Sequence, residues 1–355
     1  MRAIAVSVPG KIFLMGEHAV VYGKPALYAA VDMRCKVTLT PRDDKKIVIV
    51  AKNFKKEITL TVDEVLSQTY AAQQSWEEFQ KKGDIGILKL ITKDPMDYLV
   101  IAVGETLLFY GVPIQEGFTL TIDSAIPIGS GLGSSAAVAV TIASAITLFL
   151  EKQIDHNTIH EVSVLIEQKK HGNPSGGDPA TVTHGNLVWY RKESDLLKVI
   201  QPIPFAVLDP IASNFYLVDT GTPEESTGEM VHAVRQVYDK KLAFAANVFS
   251  ELEKLTRDMV LVLKNNHEAD LMSLLRQGER NLEELSVVSD FVKGVIREIE
   301  VSGGAAKISG GGGKTKGTGI LVVYHPDGKK LAEVLKRYDL TPLSVRLGAP
   351  GLTVH

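Results

Sequence analysis

Residues 127–137 read PIGSGLGSSAA and run without a break into the apolar stretch VAVTIASAITLFL of residues 138–150. Glycines at 129, 131 and 133 permit a tight bend, and the apolar stretch predicts a helix beginning near Ser134. The first turn of a helix leaves backbone N–H groups without intrahelical partners, so small residues at its entrance let an anion approach them closely. Ser134 and Ser135 would then either cap the helix or turn a hydroxyl toward a phosphate-bound metal. A glycine-rich turn that serves only close packing has the same composition. The rest of the chain has to supply an acid, a base and a second phosphate contact.

At 355 residues and 45% hydrophobic content, the chain buries a large core and is expected to divide into two domains. Its net charge is −3 with basic and acidic residues interspersed, which points away from nucleic acid and leaves small anionic substrates open. The lone Cys35 cannot form an internal disulfide and has no Cys/His metal spacing around it, as expected of a reducing compartment. No basic region, apolar core and cleavage site follow one another at the amino terminus, and residues 136–150 are short for a membrane span. A cytoplasmic protein, neither exported nor membrane-anchored, is the expectation.

Short β-branched runs at 2–8, 26–40, 46–53 and 56–62 favour a sheet. Helices are expected over 63–82, 95–110, 134–150 and 156–170, with strands at 116–126 and from residue 186. This is an α+β domain, residues 1–190, and the charged segment RKESDLLK at 191–198 is the expected boundary. Beyond it, residues 199–355 form a second α+β domain. FAVLD (205–209) and FYLVDTG (215–221) read as strands, with helices over 231–265, 267–287 and 289–301. A glycine loop, KISGGGGKTKGTG at 307–319, then enters a strand.

Four segments carry candidate chemistry. PGKIFLMGEHAVVYGKPAL (9–27) gathers Lys11, Glu17, His18 and Tyr22. EQKKHGNPSGGDPA (167–180) sets Glu167 and Asp178 eleven positions apart across a glycine–proline loop that can aim both carboxylates at one site. One can hold Mg²⁺ while the other orients or deprotonates an alcohol, the division expected for phosphoryl transfer. Asp178 as cap of a helix starting at Pro179 is the alternative. In the third segment GGKT resembles a Walker A ending, but position 308 is Ile where Gly is required, so that reading is rejected. The loop can still donate backbone N–H groups to phosphates, and Lys314 and Lys316 can add positive potential. In DTGTPEESTGEMV (219–231), Ser226 and Thr227 precede a helical stretch, so capping is the plain reading and substrate contact by Thr227 the alternative.

With these segments in this order, the chain resembles the GHMP small-molecule kinase superfamily over essentially its whole length, and within it the mevalonate kinase branch. PIGSGLGSSAA and the late glycine loop carry the superfamily likeness; GEHAVVYG and HGNPSG followed by Asp carry the branch. The resemblance implies an α+β, two-domain fold, an amino-terminal ribosomal-protein-S5-like domain and a carboxy-terminal ferredoxin-like domain with ATP and Mg²⁺ between them. It implies that Asp178 acts on the substrate hydroxyl, that Lys11 lowers its pKa or stabilises charge, and that Glu167 and Ser135 serve Mg²⁺. Pro127, Gly129, Ser130, Gly131, Leu132, Gly133, Ser134 and Ser135 would bind ATP; Lys11, Glu17, His18, Asp178, Thr227 and Gly311 would face the substrate. The implied reaction moves the γ-phosphate of ATP to the 5-hydroxyl of (R)-mevalonate, in isoprenoid synthesis, and a homodimer is implied with it. The chain differs from the usual pattern in Gly177 and Pro179 around Asp178, in the lysines after the late glycines, and in Glu224 and Glu225 before Thr227. The competing readings are a kinase for a phosphomevalonate, a sugar or another alcohol, an ATP-dependent decarboxylase, and a nonenzymatic nucleotide-binding module. Lys314 and Lys316 would suit an acceptor that already carries phosphate.

Overall fold

The structure, a computed structural model, describes residues 3–114, 116–194 and 197–355. Residue 2 of the first expected strand and residues 195–196 of the expected boundary lie outside that set. The amino-terminal half runs β1 (Ile4–Met15), β2 (Ala26–Arg42), β3 (Lys46–Ala51), β4 (Lys56–Thr61), α1 (Val62–Lys82), α2 (Gly86–Ile91), α3 (Pro95–Tyr110), β5 (Gly117–Ser124), α4 (Ser134–Phe149), α5 (His156–His171), α6 (Gly177–His184), β6 (Leu187–Lys192) and β7 (Lys198–Pro202). The remainder runs β8 (Phe215–Asp219), α7 (Thr227–Lys240), α8 (Leu242–Asn265), α9 (Glu268–Glu284), α10 (Asp290–Val301), β9 (Ala305–Ile308), β10 (Ile320–Tyr324), α11 (Gly328–Lys336), β11 (Pro342–Val345) and β12 (Thr353–Val354).

The strands form two sheets. In the first the order is β12-β1-β2-β5-β3-β4, and the near end of the long β2 also pairs with β6, which pairs with β7. Only β3 and β5 run parallel; the other pairs are antiparallel. The second sheet has the order β11-β8-β10-β9, all antiparallel. With α7–α10 between β8 and β9 and α11 between β10 and β11, this is the 4-1-3-2 strand order of a ferredoxin-like unit. The α+β fold class expected from sequence is the one observed.

The helix that follows the glycine–serine loop is central to the first unit. α4 is buried along most of its length, from Ala136 to Phe149. Its alanines let it lie close against β1 and β2, while Ile142 and Ile146 are fully buried, each worth about 1.5–3 kcal/mol over exposure. Its buried hydroxyls cost little, because Thr141, Ser144 and Thr147 each donate to the carbonyl four residues back at 2.7 Å. The neighbouring α3 has a sharp start, with Asp94 as N-cap in a reciprocal capping box with Asp97 and Pro95 at the first helical position.

One strand reading changes, and one short helix goes unread. FAVLD (205–209) is not a strand, and the second sheet begins at Phe215 instead. Its Val207 is buried while the Phe205 carbonyl accepts from the Asn186 side-chain amide, so side-chain bonding replaces a ladder. The short α2 has too few residues for a helical period to be read. The segment 191–198 joins β6 to β7 within the first sheet, and the chain crosses to the second only between Pro202 and Phe215.

Candidate active site

The site is built on the loop that enters α4. Gly129, Gly131 and Gly133 all have positive φ, 76°, 78° and 75°, so the chain turns at every second residue. At Gly133 there is a second constraint, since a Cβ there would lie 2.7 Å from Lys11 Cγ. The Leu132 carbonyl accepts the Lys11 amide at 3.0 Å, which staples the loop to β1, and the Leu132 side chain is buried. Ser130 closes the turn by donating to the Pro127 carbonyl at 2.8 Å. Gly133 is the N-cap of α4 and no side chain caps the helix, so its first-turn amides keep their capacity for an anion.

Lys11 stands beside this loop on β1. Its ammonium is 3.1 Å from Asp178 Oδ2, with 7% of the lysine side chain exposed against 33% of the aspartate. The rings of Phe13 and Tyr28 lie 5.2 and 5.7 Å from the ammonium and wall its apolar side. Asp178 is in the first turn of α6 but is not the cap, a position taken by Gly176 without any side-chain bond. Gly177 packs against the Tyr28 ring, where a Cβ would come within 3.0 Å. Pro179 falls in the first turn, where its missing N–H costs nothing. The Tyr28 phenol is pushed well above its usual range, first by burial and then by the charge of Asp178, so it stays neutral.

The second carboxylate belongs to α5. Glu167 is 4% exposed; its Oε1 accepts from the Tyr98 hydroxyl at 2.5 Å, and its Oε2 accepts from Ser135 Oγ at 3.3 Å. Ser135 Oγ is also 3.1 Å from His171 Nε2, and that nitrogen is 3.8 Å from Glu167 Oε2. Ser135 therefore spends its hydroxyl on this cluster and not on capping α4. Burial, reinforced by the Glu167 charge, pushes the Tyr98 phenol well above its usual range, which keeps it a donor to the carboxylate. Glu167 and Ser135 offer one anionic oxygen and one hydroxyl, a donor set that suits a hard cation arriving with phosphate oxygens and water. Among the described residues no group of three or more His, Cys, Asp or Glu side chains forms a closed metal cage.

The late glycine loop closes the opposite side. Ser309 exchanges two bonds with Phe13, accepting its amide at 3.0 Å and donating to its carbonyl at 3.3 Å. His18 Nε2 donates to the Gly311 carbonyl at 3.0 Å, and burial lowers the imidazole pKa to about 4, so it is neutral. Gly311 packs on Thr227, at 3.1 Å from a built Cβ to Thr227 Cγ2, while Ser226 caps α7 in a capping box with Glu229. Glu17 is 1% exposed and paired with the buried ammonium of Lys307, which also donates to the Ile308 carbonyl at 2.7 Å. Glu279 Oε2 accepts the Ile308 amide at 3.0 Å, and burial pushes that carboxyl up to about 8. Glu225 draws the loop outward, accepting the Lys314 amide at 3.2 Å and the Thr315 hydroxyl at 2.6 Å.

These elements enclose a cleft of about 1060 Å³. Of the residues singled out in the sequence, it brings together Lys11, Asp178, Glu167, Gly129, Ser130, Gly131, Gly133, Ser134, Ser135, Thr227 and Gly311 on its walls. Glu17, His18 and Leu132 are buried behind the wall, and Pro127 is exposed and does not line the cleft. Lys314 and Lys316 are exposed and do not line the cleft. Sequence reasoning missed Tyr98, His171, Lys307 and Glu279. Only His171 carried a signal, sitting one turn after Glu167 on the same helix.

The family description "GHMP kinases N terminal domain" matches residues 97–186. The mevalonate kinase of Pyrococcus abyssi is 27% identical, with 100% of this chain and 98% of that protein covered. The mevalonate kinase of Schizosaccharomyces pombe is 28% identical over 99% of this chain and 92% of its own length. The crystal structure of Methanococcus jannaschii mevalonate kinase aligns over 98% of both chains with a TM-score of 0.77 at 23% identity, which establishes a shared fold.

Proposed function

Because the chain belongs to the GHMP kinases, we propose that it is an ATP-dependent alcohol kinase whose acceptor is the 5-hydroxyl of (R)-mevalonate, giving 5-phosphomevalonate and ADP. The observation that carries this is the Lys11–Asp178 pair beside the uncapped start of α4, with Glu167 and Ser135 on the same cleft. The acceptor follows from full-length relatives of that name in an archaeon and a yeast.

In this reading the amides of 129–135 receive the triphosphate, with the positive end of α4 behind them. Asp178 accepts the proton of the attacking hydroxyl, and Lys11, paired with Asp178, orients it and offsets charge on the transferring group. Glu167 and Ser135 would hold Mg²⁺, which supplies neutralisation of the phosphate oxygens when bound. The neutral His18, anchored to Gly311, keeps the late loop against the acceptor side and excludes water. The reading extends to two lobes, one per sheet, to a cytoplasmic setting and to a homodimer, which sedimentation of the purified protein would test. An acceptor already bearing phosphate loses the support of Lys314 and Lys316, since neither side chain lines the cleft.

The test is Mg²⁺-dependent ADP release with mevalonate, phosphomevalonates, sugars and small alcohols offered separately, each product identified by mass and NMR. Selective formation of the 5-phosphate is the expected result, and selective use of another acceptor overturns the substrate. Asp178→Asn should lower turnover about 10²–10⁴-fold, the usual contribution of a positioned base, with nucleotide affinity unchanged. Near-normal turnover in that variant removes Asp178 from the chemistry.

A further inference from the structure

The Ser135 hydroxyl, Oε2 of Glu167 and the imidazole of His171 form a triangle with edges of 3.1, 3.3 and 3.8 Å. An octahedral ion bound at about 2.1 Å separates neighbouring ligands by roughly 3.0 Å, the ideal bond length multiplied by the square root of two. The three atoms therefore already stand near the spacing of one face of such an ion, and small side-chain rotations bring the longest edge in.

Two features fix the triangle. Glu167 and His171 are one helical turn apart on α5, so they share a face of that helix. Tyr98 occupies Glu167 Oε1, which leaves Oε2 as the oxygen turned toward Ser135 and His171. His171 is 45% exposed and lines the cleft, so it can serve the site without first being dug out of a core. Ser135 gives its one hydroxyl proton to Glu167, so Nε2 donates to Ser135 Oγ in this arrangement; the tautomer with the proton on Nδ1 would instead turn the Nε2 lone pair to an ion.

Resting on the phosphoryl-transfer reading of this cleft, we propose that His171 is a third protein ligand of the nucleotide-bound divalent ion, making the site a Ser–Glu–His face. The chemical consequence is selectivity. An oxygen-only pair favours Mg²⁺, whereas an imidazole added to it favours Mn²⁺ and Co²⁺ over Mg²⁺. The nucleotide phosphates and water complete the coordination on the open side.

The probe is Mn²⁺ added to the full chain in the presence of ADP, read by electron spin-echo modulation and by titration of the free Mn²⁺ signal. Nitrogen modulation is expected, and it must change when the protein is labelled with ¹⁵N-histidine, which separates imidazole from the nitrogens of adenine. His171→Ala should abolish that modulation and weaken Mn²⁺ binding by at least about tenfold, the lower end for losing a metal-site partner, with a smaller effect on Mg²⁺. The labelled unmutated protein keeps the test valid whatever the variant does to folding. Mn²⁺ bound without histidine modulation overturns the inference, as does failure of Mn²⁺ to bind the ADP complex. Acceptor-dependent ADP release, measured alongside, reports on the kinase reading separately: histidine modulation without mevalonate turnover leaves the ligand set standing and removes the substrate.

Discussion

Replacing Lys307 with methionine probes the buried bridge between the late glycine loop and the turn that carries Glu17. The ammonium is wholly excluded from solvent, and the carboxylate it holds is 1% exposed. Methionine keeps an unbranched stem but removes the charge and the donor to the Ile308 carbonyl. Glu17 is left as a buried carboxylate without its cation, and its Oε2 already lacks a hydrogen-bond partner. Removing one member of such a pair costs about 3–5 kcal/mol, because the surviving charge stays desolvated. At ~2.1 cal/mol/K per residue, the unfolding entropy of the 355-residue chain is about 0.75 kcal/mol/K, so the melting temperature should fall by about 4–7 °C. Protonation limits the loss. Burial already raises the Glu17 carboxyl above its ordinary value, with Lys307 pulling it partly back. Without the lysine the folded-state pKa rises further, so stability is retained at low pH and lost as pH rises through that value, and the deficit is larger at pH 8 than at pH 5. The double variant Glu17→Gln with Lys307→Met carries no stranded charge and should recover at least half of the loss. Calorimetry of the single and double variants at both pH values decides the matter. A single variant that melts within about 1 °C of the parent, or a double variant no better than the single, refutes the reasoning.

Two further outcomes follow from geometry already described. Glu279 has a folded-state pKa of about 8 against an ordinary 4.5, so the folded state binds the extra proton and stability declines as pH rises across that window. Glu279→Gln retains an acceptor for the Ile308 amide and should flatten the decline, as read from urea melts at several pH values; an unchanged slope assigns the pH dependence elsewhere. Gly133→Ala puts a Cβ 2.7 Å from Lys11 Cγ at a residue with φ 75°, so about 1–3 kcal/mol of strain is added and Lys11 is pushed from Asp178. Melting temperature and turnover should both fall, the latter by up to about 10²-fold for a displacement near 1 Å, and full activity would show that the loop yields without moving the lysine.

The architecture was legible where local chemistry dictates it. Alternating glycines before a run of Ala, Ser, Thr and branched aliphatics can hardly be other than a tight loop and a buried helix, and α4 starts at Ser134 as the pattern predicts. The approach of Glu167 and Asp178 to one cleft was readable from the flexible loop between them. What escaped were contacts made by distant segments. Glu17 meets a lysine 290 residues away, so its segment alone suggests an exposed substrate ligand. Tyr98 lies within an apolar helix and belongs to no motif, yet it sets which oxygen of Glu167 turns toward Ser135. Lys314 and Lys316 suggested a positive wall because spacing does not reveal that the loop between β9 and β10 lines the cleft with its glycines while Glu225 binds the Lys314 amide and the Thr315 hydroxyl, leaving the two lysine side chains exposed.

β12 pairs with β1, matching Val354 to Val6, and the His355 amide donates to the Ala5 carbonyl at 2.9 Å. A ribosome makes β1 well before β12, so the partner of Val6 and Ser7 is delivered some 340 residues later. During synthesis that side offers unpaired amides and carbonyls beside an otherwise assembled sheet. Completion of the first sheet is therefore tied to synthesis of residues 353–354, and a nascent chain stalled between the two sheets' strands and β12 displays a sticky edge to chaperones and to its neighbours on the same message.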